Sequence, residues 1–200
     1  TWQDRYAITA RRKQTEWSLA AMKMETKRLT LRELTMEDFD ALYEILSDPQ
    51  TMQHYPAPFG KEETRRWIRR NIKRYAELGF GLRAVIMKET GEFIGDCGIT
   101  MQNIHGQLLP EIGYHIRRDL WRRGYASEAA QACMDFIFTH TSFNSVYSYM
   151  KYTNEASYGV ALKNGMTFIE EYDDPINTRT RVYAIGREEW HVRHKATRKV

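Results

Sequence analysis

Trp121-Arg122-Arg123-Gly124-Tyr125-Ala126 runs straight into Ser127-Glu128-Ala129-Ala130, and its residue types and spacing suit the binding of an anion. Ala126, Ala129, Ala130, Cys133 and Ile137 repeat at helical spacing, so the stretch reads as a tight turn feeding an amphipathic helix. The first N–H groups of such a helix have no partner within it and sit at the positive end of its dipole. With two arginines beside them they form an anion site, and Gly124 permits a positive φ and a close approach of backbone to phosphate. The alternative is an arginine-rich turn before a surface helix.

Three further stretches accompany the turn in order. Glu111-Ile112-Gly113-Tyr114-His115-Ile116 precedes it, and Asn154-Glu155-Ala156-Ser157-Tyr158-Gly159-Val160-Ala161-Leu162-Lys163-Asn164-Gly165-Met166 follows. Near the start lies Glu25-Thr26-Lys27-Arg28-Leu29-Thr30-Leu31-Arg32. The turn resembles the pyrophosphate loop of the GNAT acetyltransferase superfamily, (Gln/Arg)-x-x-Gly-x-(Gly/Ala), with Trp121 in the opening position. The later stretch resembles that family's Asn-x-x-Ser-x-x-Val-x-x-Lys-x-Gly-(Phe/Met) helix. The stretch from Glu25 to Arg32 resembles the opening strand of the Rim-type branch, the ribosomal-protein alanine acetyltransferases and their relatives. The resemblance spans residues 25–190.

The resemblance implies acetyl-CoA as cofactor, bound by Ile116, Arg118, Arg122, Arg123, Gly124, Tyr125, Ala126, Ser127, Asn154 and Lys163. In the family the strand carrying Glu111 to Ile116 bulges and splays from the next, and the pantetheine arm lies between them. Unpaired backbone groups there would bind the arm's amides as another strand would. Asn154 also reads as a plain helix N-cap and Lys163 as a solvated lysine.

Transfer to an amine requires a neutral nitrogen, and Glu111 is the candidate base, because Rim-type relatives commonly carry Glu on this strand. Strand alternation puts Glu111, Gly113 and His115 on one face, which makes His115 a second candidate. Many family members supply a tyrosine acid seven residues after the helix asparagine; Ala161 stands there, leaving Ser157 and Tyr158 as candidates or as packing residues. Family architecture assigns the acceptor wall to the first two helices and their loop, here His54, Tyr55 and Phe59; a plain interhelical loop is the alternative.

The elements that must hold these residues can be read from periodicity. A strand at 29–34 leads to a helix capped near Thr35, with Phe39, Leu42, Tyr43 and Leu46 on one stripe and Pro49 beyond its end. A second helix at 61–78, closed by Gly79, sets Arg65, Arg66, Arg69, Arg70, Lys73 and Arg74 opposite Trp67, Ile68, Ile72 and Tyr75. That basic stripe suits RNA, an acidic acceptor, or simple solvation balanced by Glu62, Glu63 and Glu77. Strands at 81–88, 93–101 and 110–117, then 145–152, 166–172 and 181–186, predict a mixed α/β fold. Its mostly antiparallel sheet has roughly six to seven strands and helices on both faces, and the family resemblance implies a splayed central pair within it.

The 200 residues, 42% hydrophobic and 28% charged, suit one globular domain. No apolar run reaches the ~20 residues of a membrane helix, and charges interrupt the first residues where a signal peptide would lie. Cys97 and Cys133 sit in apolar stretches, as buried thiols of a cytoplasmic protein would. No zinc site is expected; His191 and His194 lie in a basic tail at 191–200. Residues 1–24 form a basic extension, a detached helix or disordered segment. Five basic and two acidic groups fall in 1–24 and again in 187–200, so of the net +4 the ends supply +6 and the body −2. Basic tails are poor support for nucleic-acid binding.

The expected function is N-acetyl transfer to a primary amine of a small molecule or a protein N-terminus. The alternative is a CoA-binding sensor or adaptor without transfer, and a third reading is RNA binding. No membrane partner is expected, and a homodimer is compatible with the sequence.

Overall fold

The computed structural model describes residues 23–197; residues 1–22 of the basic extension and 198–200 of the tail lie outside the described residues. In chain order the elements are β1 (Lys23–Glu25), β2 (Leu29–Glu33), α1 (Phe39–Leu46), α2 (Lys61–Leu78), β3 (Leu82–Met87), β4 (Phe93–Ile104) and β5 (Gln107–Ile116). Then come α3 (Tyr125–His140), β6 (Ser145–Lys151), α4 (Glu155–Lys163), β7 (Thr167–Asp174), β8 (Thr178–Gly186) and α5 (Arg187–Thr197). None of the described helices is long and apolar enough to cross a membrane.

The strands form one eight-stranded sheet in the order β1-β2-β3-β4-β5-β6-β8-β7. The strand beyond the expected six to seven is β1, because Lys23 and Met24, read as part of the extension, pair with Arg32 and Leu31 of β2. The β4–β5 hairpin is also longer than expected. It pairs without interruption from Gly95 opposite Ile116 to Ile104 opposite Gln107, so the bulge expected in β5 is absent from this ladder. A register shift lies instead between β3 and β4, at Val85/Ile86.

Strand alternation divides the core between the two faces. On β3, Val85 and Met87 join the cluster packed under Ala129, Ala130, Cys133 and Ile137 of α3, while Leu82 and Ala84 join Leu42 and Leu46 of α1 and Ile68 of α2. The sheet is thus a septum with a different helix layer on either side. Truncating a fully buried member such as Ile137 to alanine would cost ~2–5 kcal/mol.

Polar side chains pin α2 to the sheet. Asn71 Oδ1 accepts from the Leu82 N–H at 3.0 Å, and the Tyr75 hydroxyl accepts from the Leu34 N–H at 3.1 Å and donates to the Leu82 carbonyl. The buried positions Thr64, Ile68, Asn71 and Tyr75 follow a stripe that leaves Ile72, expected inside, 40% exposed. The C-terminal helix α5 is likewise more than a tail: Trp190 is buried and its indole donates to Asp135 Oδ1 at 2.8 Å.

Candidate active site

β5 and β6 are the one parallel pair in the sheet, and their ladder is confined to Glu111 opposite Tyr147. Beyond that point the residues from Ile112 to Ile116 and from Ser148 to Lys151 run side by side without further pairing to each other. A wedge therefore opens toward the C-terminal ends of both strands. Each strand leads there into a helix, β5 through the Gly124 turn into α3 and β6 through Asn154 into α4. Two helix N-termini thus flank the mouth of the wedge, the usual place for a ligand at a strand-order switch.

The Gly124 end is built for anions. Gly124 has φ 83° and caps α3, and Arg122 also takes a positive φ of 62°. A Cβ on Gly124 would lie 3.4 Å from Arg28 Nη2 and 3.6 Å from Lys163 Nζ, so two cations from distant parts of the chain converge here. Arg28 is held in place by Glu128, whose Oε2 accepts from Nε at 2.6 Å and whose Oε1 accepts from the backbone N–H at 2.8 Å. Its Nη1 donates to the Arg123 carbonyl at 2.9 Å. The site opens on a cavity of ≈ 750 Å³ whose lining includes Arg28, Arg123, Gly124, Ser127, Gln131 and Lys163.

At the closed end of the wedge stands Glu111. Burial pushes its carboxyl up to about 8, against the opposing pull of a 3.3 Å hydrogen bond from Thr100 Oγ1 and the charge of Arg74. Gly113 leaves room for it, since a Cβ there would lie 3.3 Å from Glu111 Oε2. Tyr149 is pushed up to about 12, first by burial and then by the Glu111 charge. The Tyr55 hydroxyl is raised by burial, then by the charges of Glu111 and Asp96. Glu111, Tyr149 and Tyr55 therefore share one electrostatic environment.

Tyr55 also anchors its loop to β5. Its hydroxyl lies 2.9 Å from His115 Nε2, and its ring meets Phe59 edge-on at 6.0 Å. Phe59 in turn packs against Trp67 of α2 at 5.5 Å. His54 is half-buried, and burial with the charge of Lys151 lowers its pKa.

On the opposite face of β5, the Tyr114 hydroxyl donates to the Ser157 carbonyl at 3.0 Å and lies 3.1 Å from the Ser157 hydroxyl. This bond joins the β5 side of the wedge to the first turn of α4.

The acetyltransferase (GNAT) domain family matches residues 28–167, most of the chain. The chain belongs to the GNAT acetyltransferase family. This acetyltransferase is 37% identical to the Bacillus subtilis protein YkkB over 78% of its own length and 94% of YkkB. It is 35% identical to the N-acetyltransferase p20 of Bacillus licheniformis over 73% and 82% of the two chains. A crystal structure of a GNAT-family acetyltransferase from Bacillus anthracis superposes with a TM-score of 0.71 at 28% identity, covering 84% of this chain and all of that one. The acetyl donor of this acetyltransferase is acetyl-CoA. The convergence of helix N–H groups, Arg28 and Lys163 at Gly124 fits its phosphates.

Several residues expected in the acetyltransferase site have partners of their own in the fold. Arg118 donates to Gln50 Oε1 at 2.6 Å and lies 3.6 Å from Asp48, on the α1 side of the molecule. The Ile116 side chain is in the core and its carbonyl accepts from the Trp121 indole at 2.6 Å. Asn154 acts as the N-cap of α4, its Oδ1 accepting from the Ser157 N–H at 3.1 Å. Tyr158 of α4 stacks on Tyr183 of β8 at 6.3 Å, with Arg181 5.9 Å over its ring. Tyr125 packs under Arg28 and points its hydroxyl at Met87 Sδ, leaving its backbone N–H for a ligand.

Sequence reasoning missed Arg28, Tyr114, Tyr149, Thr100, Asp96 and Arg74 as site residues. The signal for Arg28 was its place in the stretch resembling the Rim-type strand. Tyr114 followed from alternation, which put it on the face opposite Glu111.

Proposed function

We propose that this acetyltransferase moves the acetyl group of acetyl-CoA onto a primary amine of a small molecule or a peptide N-terminus, as a member of the Rim-type branch. The observation that carries the reading is Glu111, a half-buried residue whose enclosed carboxyl is pushed up to about 8, at the closed end of the wedge and on the side of Tyr55 and Tyr149.

Acetyl-CoA supplies the acetyl group as an activated thioester. The helix N–H groups after Gly124, with Arg28, Arg123, Ser127 and Lys163, hold its phosphates, and the unpaired edges of β5 and β6 hold its amide arm. Arg122, Tyr125 and Ala126 contribute backbone to the same turn. His54, Tyr55 and Phe59 form the wall of the acceptor pocket.

Glu111 takes a proton from the acceptor. An α-amine at ~8 gives up its first proton more easily than a lysine amine at ~10.4, by about 3 kcal/mol. That difference supports an N-terminal or similarly weak amine over a lysine side chain. On the other face, Tyr114 and Ser157 are the groups available to the leaving thiolate. With a thiol pKa of ~8.5, that step makes a modest demand on an acid.

The test is thiol release from acetyl-CoA with a panel of peptides bearing free N-termini, polyamines and aminoglycosides. Turnover with α-amine peptides ahead of lysine side chains supports the reading. Absence of turnover with every amine overturns it.

A further inference from the structure

The route through Glu111 leaves one polar chain unused. Asp96 of β4 is 0% exposed; its Oδ2 accepts from the Trp67 indole N–H at 2.8 Å and its Oδ1 lies 2.8 Å from His115 Nδ1. A buried carboxylate with two N–H donors is satisfied at both oxygens. With Nδ1–H committed to Asp96, His115 Nε2 carries the ring's lone pair, and the Tyr55 hydroxyl at 2.9 Å donates to it. That fixes the single hydrogen of Tyr55 inward and turns the lone pairs of its oxygen away from His115.

The burial gradient runs the same way. His115 is 7% exposed and boxed in by the rings of Tyr55 at 5.5 Å and Trp67 at 5.8 Å, whereas Tyr55 is 42% exposed. Tyr55 is thus the more accessible of the two residues, with its hydroxyl turned inward onto His115.

Amide formation from an ammonium removes two N–H hydrogens, one before attack and one after, and one carboxylate holds one proton at a time. Resting on the acetyltransferase reading, we propose that Tyr55 receives the acceptor ammonium and that His115 and Asp96 behind it store the first proton. The ammonium N–H bond breaks as its proton bonds to the Tyr55 oxygen, and the original Tyr55 hydrogen passes to His115 Nε2. The electron pair stays on the acceptor nitrogen, now neutral and nucleophilic. The imidazolium is balanced by the buried Asp96 carboxylate, and the store empties to water by the reverse hop after products leave. Glu111 is then free for the second proton. Tyr55 is the catalytic residue of this relay, and His115 and Asp96 are positioning residues that act through it. Besides Asp96, Trp67 and Tyr55, the charged groups on this side include Glu111 on β5 and, on α2, Arg74 and Arg70, whose guanidinium lies 5.9 Å over the Trp67 ring.

The experiment compares the full chain with Tyr55→Phe and Asp96→Asn, using acetyl-CoA with an Ala-Gly-Ser peptide, spermidine and kanamycin. Tyr55→Phe keeps the ring; it should lower kcat ~10²-fold and alter the pH profile of kcat, with the KM for acetyl-CoA almost unchanged. Asp96→Asn should lower kcat comparably, because an amide N–H facing Nδ1 reverses the imidazole tautomer. Nitrogen NMR of His115 reads that reversal without turnover: protonated Nδ1 in the parent, protonated Nε2 in Asp96→Asn. Parental kcat and pH profile in Tyr55→Phe, a change confined to acceptor KM, or an unchanged tautomer in a folded Asp96→Asn each overturn the relay. A parent silent toward all three amines, with the NMR result as expected, overturns the acetyl-transfer reading and the relay with it.

Discussion

Glu111 faces Tyr147 at the one position where β5 and β6 pair, so the residue that closes the wedge is also the carboxyl that burial raises beside the acceptor loop. Exclusion of water around this carboxyl disfavours its charged form and lifts its pKa, against the hydrogen bond from Thr100 and the charge of Arg74.

The raised pKa has a consequence for stability. In the folded protein Glu111 holds its proton to about 8, against an ordinary value of 4.5. Between those values the unfolded chain binds fewer protons than the folded one, so this group makes stability fall as pH rises. Glu111→Gln has no proton to lose. Its melting temperature should match or exceed the parent's, with a gap that widens from about pH 5 to about pH 9. Parallel melting curves across that range would mean the carboxyl is ionised throughout.

At the anion end, Gly124→Asp should keep the fold and lose the cofactor. An aspartate tolerates the φ of 83° at a cost of ~1–2 kcal/mol, but its carboxylate would pair with Arg28 and Lys163 and repel phosphate. The check is thermal shift with coenzyme A: a clear rise for the parent and none for the variant. Equal rises would remove this turn from the account.

Arg28 offers a sharper test, because its ion pair with Glu128 gives it a purely structural alternative. Arg28→Met should weaken coenzyme A binding about ten- to hundredfold and flatten its dependence on salt, with Arg28→Lys recovering part of the affinity. Calorimetry at two salt concentrations decides it. Parental affinity in the methionine variant would leave Arg28 as a clamp for Glu128 alone.

The loop turn and both of its helices were legible in the sequence because local rules fix them: one glycine at positive φ, an N-cap at Asn154 and helical periodicity in Ala126 to Ile137. Alternation along β5 correctly separated Glu111 from Tyr114. Convergence of residues far apart in the chain was hidden. Arg28 and Lys163 meet over Gly124, and Asp96, His115 and Tyr55 meet across two strands and a loop, through tertiary packing that no local spacing encodes. The stack of Tyr158 on Tyr183 was equally hidden, since it joins α4 to β8 across the fold. β1 was missed because three residues carry too little pattern to announce a strand.

The acceptor loop should control selectivity without touching the donor. His54→Ala removes a half-buried imidazole held low by burial and by Lys151, and Phe59→Ala removes the ring between Tyr55 and Trp67. Each should change acceptor KM or the ranking of amines, with the acetyl-CoA KM within about twofold of the parent. An unaltered ranking in both would put the acceptor pocket elsewhere.

The central claim, that Glu111 is the base of an amine acetyltransferase, is tested most directly by the pH dependence of kcat, at saturating acetyl-CoA and α-amine peptide, in the parent and in Glu111→Gln. The parent rate should rise with pH through a step near 8, and the variant should lose ~10²-fold or more together with that step. A glutamine variant whose profile overlays the parent's would contradict the account.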